Sequence, residues 1–255
     1  MMLTTDMEKI CTAATNKAEV LQKRPLAFFM RAVMAGFFIV VAVLLSNVTG
    51  AVLYAKYPEA GKVLSSALFP IAIILIVFIG GDLFTGNNMT MALGVYSKKC
   101  SWMDLIKVWV VSYIGNFIGA FVLTTIFYFS GSARDLMTTY YQAIIPGKLS
   151  LDITQLILRG ILCNFLVCLA VWTGTRLKSE SGKLIIMILV IMTFVISGFE
   201  HCIANMSTFT LACYLCPELT TAGLIAKNML WVTLGNVLGG AVLFSGTLKL
   251  MTWDK

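Results

Sequence analysis

Six apolar stretches, at roughly residues 26–50, 63–97, 105–130, 151–175, 184–215 and 222–250, take up most of this 255-residue chain. Each is long enough to cross a hydrocarbon layer about 30 Å thick. Only 12% of the residues are charged against 59% hydrophobic, whereas a soluble domain carries about a quarter charged. Too little polar surface remains to cover a water-soluble globule, so lipid is the expected solvent and an all-α membrane protein the expected class. The formal net charge of +7 does not indicate nucleic acid, because the basic residues are scattered through short hydrophilic breaks and form no stripe. Seven cysteines, three of them (Cys163, Cys168, Cys202) inside apolar runs, do not make a secreted disulfide framework. No cleavable signal peptide opens the chain. Residues 1–25 are polar and mildly amphipathic, as expected of a cytoplasmic helix on the membrane surface, and residues 26–255 form a single transmembrane domain.

Lysine and arginine set the expected orientation. Lys9, Lys17, Lys23, Arg24, Lys98, Lys99, Lys107, Arg176, Lys178, Lys183, Lys249 and Lys255 fall on one side, and Lys56, Lys62, Arg134, Lys148 and Lys227 on the other. The excess marks the cytoplasmic side, so both termini are expected there, as six crossings require.

The two halves, 26–130 and 150–251, echo each other. Gly115-Asn116-Phe117-Ile118-Gly119 recurs 120 residues later as Gly235-Asn236-Val237-Leu238-Gly239. Gly81 stands seven residues before Asn88-Met89-Thr90, as Gly198 does before Asn205-Met206-Ser207. Arg31 and Arg159 each precede a small or polar residue, Gly36 or Asn164, by five. Three spans followed by three similar spans predict two inverted three-helix repeats. The glycine-asparagine pairs read as close helix contacts with asparagine bonding across them.

Spans two and five are too long for straight crossings, and each holds a glycine-containing polar interruption: Gly80-Gly81-Asp82-Leu83-Phe84-Thr85-Gly86-Asn87-Asn88 and Gly198-Phe199-Glu200-His201-Cys202-Ile203-Ala204-Asn205. Unwound backbone at membrane depth is tolerated where it lines a cavity, and matching interruptions point to a transport site. Half-helix N-termini there favour anions, and Asn88 and Asn205 are expected to tie those ends down.

These interruptions, with Cys163-Asn164 in the fourth span, resemble the formate/nitrite transporter family over nearly the whole chain. The resemblance implies aquaporin-like protomers in a homo-pentamer, each with its own pore for a small anion. It implies hydrophobic constrictions at Leu83 and Phe84 on the cytoplasmic side and at Phe69, Ile73, Val167 and Phe194 on the outer side, with Thr85 and His201 meeting between them. It also brings Lys148, by itself an ordinary loop lysine, near the pore as an anion attractor.

His201 is the one histidine, set in an apolar span beside Glu200. Ionisable groups at membrane depth are costly and mark function, and histidine titrates near neutral pH. It is expected to bond Thr85 and exchange a proton with the permeating species. A bare anion in a dry slit costs tens of kcal/mol by Born estimates, a neutral acid only a few. Glu200 and Asn164 are expected to form a buried polar pair behind it. Asp82 is expected to satisfy loop amides, and Arg31 and Arg159 to be structural, bonding carbonyls. Cys213-Tyr214-Leu215-Cys216 is a weak metal signal and reads as packing. Neither a metal nor a cofactor is expected.

The leading reading is a plasma-membrane channel for small monovalent anions of weak acids, with hydrosulfide favoured over formate or nitrite on overall likeness and on Cys202 following His201. An aquaporin-type neutral pore is the alternative, and the absence of Asn-Pro-Ala stands against it. A membrane redox enzyme is disfavoured because a single histidine cannot supply bis-histidine haem ligation and there is no glycine-rich nucleotide motif. A purely structural scaffold would not need ionisable residues in broken helices.

Overall fold

The structure, a computed structural model, describes residues 2–252, with side chains from residue 4, and among them no strand occurs. Lys255, counted above, lies outside the described residues. Helix α1 (Met2–Lys23) is followed at once by α2 (Pro25–Tyr54), whose first-turn proline has its φ preset for a helix and no amide to leave unpaired. Then come α3 (Pro58–Leu68), α4 (Ile71–Leu75) and a π-helical turn over Ile76–Gly80. After the non-helical residues 81–83 the chain resumes as α5 (Phe84–Tyr96) and α6 (Trp102–Phe129). The second half contains α7 (Arg134–Leu149), α8 (Ile153–Arg176), α9 (Glu180–Ile196), α10 (Cys202–Leu215) and α11 (Ala222–Val237). It closes with a π-helical stretch, Leu238–Phe244, and α12 (Ser245–Met251).

Among the described residues five helical stretches are long and apolar enough to cross a membrane: 25–54, 58–80, 102–129, 153–176 and 222–251. The fifth apolar stretch, 184–215, falls on two helices of 17 and 14 residues, parted at the glycine-containing interruption. At about 1.5 Å per residue neither reaches across about 30 Å alone. Helix α7 has no sequence expectation behind it, because its residues form no continuous apolar run.

The tightest packing follows the glycine-asparagine pairs. A Cβ on Gly119 of α6 would lie 2.1 Å from the Val33 carbonyl oxygen of α2, and one on Gly235 of α11 would lie 2.4 Å from the Ile157 oxygen of α8. Backbone meets backbone at both places, as small residues permit between helices in lipid. Gly119→Ala is therefore expected to force α2 and α6 apart and lower stability by about 1–3 kcal/mol, as overpacking does. A thermal melt in detergent checks this.

Outward-facing side chains of α6 are apolar and bare: Ile106, Val110, Ile114, Phe117, Phe121 and Phe129 are each at least 44% exposed. A patch of this kind needs lipid or another protein surface to cover it.

Helix α1 does more than rest on a surface. Its Met7, Ile10 and Cys11 are buried against Met89, Leu93, Phe244 and Leu248, and Asp6 pairs with Arg176 at 3.0 Å. The Thr252 hydroxyl reaches the Met7 sulfur, so both ends of the described chain meet on one end of the bundle, called here the terminal face.

Candidate functional site

The two interruptions are built alike. Gly80 (φ +101°) and Gly198 (φ +71°) adopt backbone angles that disfavour a Cβ, and each ends a helical stretch. After the first, the Phe84 amide donates to Asn116 Oδ1 (2.9 Å), and Asn116 Nδ2 donates to the Ala32 (2.8 Å) and Asp82 (3.0 Å) carbonyls. After the second, the Cys202 amide donates to Asn236 Oδ1 (2.9 Å), and Asn236 Nδ2 donates to the Gly160 (2.8 Å) and Glu200 (2.9 Å) carbonyls. Backbone bonds complete the match: Asp82 N to Arg31 O at 3.1 Å and Glu200 N to Arg159 O at 3.3 Å. Two asparagines thus hold the polar backbone that each break exposes.

These bonds equate Asp82 with Glu200 and Leu83 with His201, one residue away from the register in which Gly81 matches Gly198. Gly81 itself is extended (φ −153°) and is needed for space, since a Cβ there would lie 3.1 Å from that of Ala35. The expected support from Asn88 is not seen. Its side chain is buried with both ends unbonded among the described residues, because the exposed amide faces Asn116. Asn205 is bonded, to Glu200 (2.7 Å) and Asn228 (2.8 Å), but it holds side chains, not the helix end.

His201 caps α10. Its Nδ1 accepts from the Ala204 amide at 3.1 Å, so a neutral ring carries its proton on Nε2. That nitrogen lies 3.1 Å from the Thr85 hydroxyl. The imidazole lies nearly parallel to the Phe194 ring, with centroids 6.0 Å apart, and Phe194 meets Phe69 edge-on at 5.7 Å.

Above this centre a cavity of about 480 Å³ opens away from the terminal face, with Lys148, Glu200, Asn205 and His201 on its wall. Below it the space shrinks to about 10 Å³, lined by Phe69, Ile73, Val167, Phe194 and Leu83, with His201 at its edge. That is barely the room one water needs. Leu83 therefore shares a single slit with the residues expected on the outer side. Phe84 leaves it: residues 81–83 are extended, so consecutive side chains point opposite ways. Its ring packs on Tyr113 (4.9 Å) and Trp109 (6.3 Å) instead.

Lys148 is anything but a free loop lysine. Its ammonium donates to both Glu200 oxygens (2.7 and 2.8 Å) and to Asn205 Oδ1 (2.9 Å). Asn164, expected beside Glu200, is elsewhere: its Nδ2 donates to the Asn236 carbonyl at 2.6 Å. That bond ties α8 to the end of α11. Asp82 does not serve loop amides through its carboxylate, which pairs with Lys17 of α1 and, at 3.5 Å, with Arg31. Each break thus carries a buried carboxylate held by a lysine from an adjoining helix, and neither pairing partner was legible in the sequence. The described cysteines are all free, Cys213 exposed and Cys216 buried, and no group of three metal-ligating residues occurs among the described residues.

The family model described as formate/nitrite transporter matches residues 4–250. The nitrite transporter NirC of Salmonella typhimurium is 32% identical over 244 residues, covering 94% of this chain and 89% of NirC. A solved structure described as an FNT family ion channel superimposes with a TM-score of 0.91 at 28% identity, over 98% of this chain and all of the other. A pentameric formate channel with formate bound matches with a TM-score of 0.78 at 30% identity, over 90% of this chain and 98% of that one.

Proposed function

This chain belongs to the formate/nitrite transporter family of multi-pass membrane proteins, and from that premise we propose that it conducts small monovalent anions of weak acids past a proton-exchanging His201–Thr85 pair. The observation that carries the reading is the position of His201: one polar ring at the junction of a wide, charged cavity and an apolar slit scarcely large enough for one water. In such a slit a bare anion is strongly disfavoured and a neutral acid is not. The Nε2–H, directed at Thr85, is the donor placed to meet an arriving anion. The proton passed to that anion comes from the imidazolium, which the ring forms by taking a proton from the cavity and which returns to the neutral ring as the neutral acid leaves. Leu83 closes the slit toward the terminal face, and Phe69, Ile73, Val167 and Phe194 close it toward the cavity.

On this reading α9 and α10 together make a sixth crossing, α3 to α5 make the second, and the two halves are inverted repeats. The matched asparagine bonds support that equivalence. The lysine and arginine excess puts the terminal face in the cytoplasm. The apolar outer surface of α6 and the pentameric formate channel among the similar structures support assembly as a homo-pentamer in the plasma membrane. Hydrosulfide stays within the proposed substrate range along with formate and nitrite. Cys202, which prompted the preference for it, is fully buried and lines neither cavity nor slit. A neutral-solute pore has no use for the charged wall.

Reconstitution in liposomes tests the proposal. Formate, nitrite and hydrosulfide should each equilibrate faster than in protein-free liposomes, while glycerol should not. Glycerol entry without anion entry overturns the proposal in favour of a neutral pore.

A further inference from the structure

Four charged side chains line the wide cavity: Lys62, Lys148, Arg159 and Glu200. Lys148 has three N–H donors, and Glu200 and Asn205 take all three, so it has no hydrogen bond to offer an arriving anion, and its charge is cancelled locally. Arg159 is the opposite case. Among the described residues its side chain makes one hydrogen bond, from Nη1 to the Gly198 carbonyl at 3.3 Å, and no ion pair. A guanidinium has five N–H donors, so most of them are uncommitted.

Arg31, the counterpart of Arg159 at the other break, has a carboxylate partner in Asp82 at 3.5 Å. At the cavity end Glu200 occupies the position of Asp82, but Lys148 claims both of its oxygens. Arg159 is thereby left as a cation on the cavity wall, half-buried and beside the break that leads to His201.

We infer that Arg159 is the group that docks the anion in the cavity, and that it selects planar anions with two oxygens, such as a carboxylate or nitrite, over single-atom anions. A guanidinium presents parallel N–H groups at the spacing of such a pair of oxygens, and an ammonium does not. Hydrosulfide has one acceptor atom and gains nothing from the fork. The inference rests on the anion-channel reading and adds to it a specificity-determining residue.

The test compares the parent with Arg159→Lys and Arg159→Gln, all reconstituted as the full chain in liposomes. Arg159→Lys keeps the charge and loses the fork. The half-saturating formate concentration should rise about tenfold in Arg159→Lys, the effect of losing one charge-assisted bond of the bidentate pair, and further in Arg159→Gln. The ratio of formate to hydrosulfide flux should fall with it. The inference is overturned if Arg159→Lys stays within twofold of the parent for formate, or if formate and hydrosulfide lose the same fraction. Should Arg159→Gln not fold, the lysine variant still decides. Failure of the parent to move any anion would strike the channel reading itself, a result distinct from either.

Discussion

Lys148→Met should lose most anion flux and melt well below the parent, whereas Lys148→Met with Glu200→Gln should recover much of the stability. The single change strands the Glu200 carboxylate, only 4% exposed, without the ammonium that both of its oxygens accept from. Removing one partner of a buried pair costs about 3–5 kcal/mol, because the remaining charge has lost its water and gained nothing. An unpaired negative charge on the cavity wall also repels the anion that must reach His201. Neutralising both partners removes the stranded charge. Flux assays and thermal melts on the two variants check this, and a single variant as stable as the parent would show the pair to be dispensable.

Asn236→Leu should also damage the fold, though it removes no charge and lines no cavity. One side chain takes the Cys202 amide and supplies the Gly160 and Glu200 carbonyls. Leucine has similar bulk and leaves the Cys202 amide and the Glu200 carbonyl buried without that partner, while the Gly160 carbonyl, inside α8, keeps its helical bond. At about 1–3 kcal/mol each, the loss is about 2 kcal/mol or more, and Asn116→Leu should match it at the other break. Asn88→Leu is the control. That asparagine is equally buried, yet its side chain has no partner to lose, so its melting temperature should stay near the parent's or rise. Equal losses in Asn236→Leu and Asn88→Leu would refute the assignment of the supporting role.

That contrast shows what the sequence could and could not reveal. Apolar runs mark the five stretches able to cross a membrane, and the glycines mark the non-helical residues 81–83 and 197–201, because hydrophobic length and backbone permissiveness are local properties. The Gly-Asn pairs were recognised as helix contacts for the same reason. Residue identity points to another register: Asn88-Met89-Thr90 resembles Asn205-Met206-Ser207, one residue from the alignment that the hydrogen bonds obey. Asn116, not Asn88, takes the exposed amide of the first break. Side-chain partners across long separations were also out of reach. Lys148 and Glu200 are 52 positions apart, and their meeting depends on α7, a helix without a strong sequence signature. Lys17 and Asp82 are 65 apart and meet only because α1 docks against the bundle. Leu83 and Phe84 are neighbours in sequence, but extended backbone at Leu83 separates their side chains, so one reaches the slit and the other packs on aromatic neighbours.

Arg159 shows how pairing, more than residue type, distributes function here. Lysine and arginine both face the cavity, but Lys148 is spent on Glu200 and Arg159 is not. A similar division separates His201 from Asn116 and Asn236: they are occupied by backbone, while its Nε2 faces only a hydroxyl.

The most direct test of the proton-exchange mechanism is the pH dependence of formate uptake into liposomes by the parent and by His201→Asn, which keeps a polar side chain at the junction but cannot exchange a proton in this range. The parent should conduct well above protein-free liposomes with a marked pH dependence, and the variant should lose most of the flux and change that dependence. A variant that follows the parent at every pH would contradict the account, because the ring between cavity and slit would then take no part in passage.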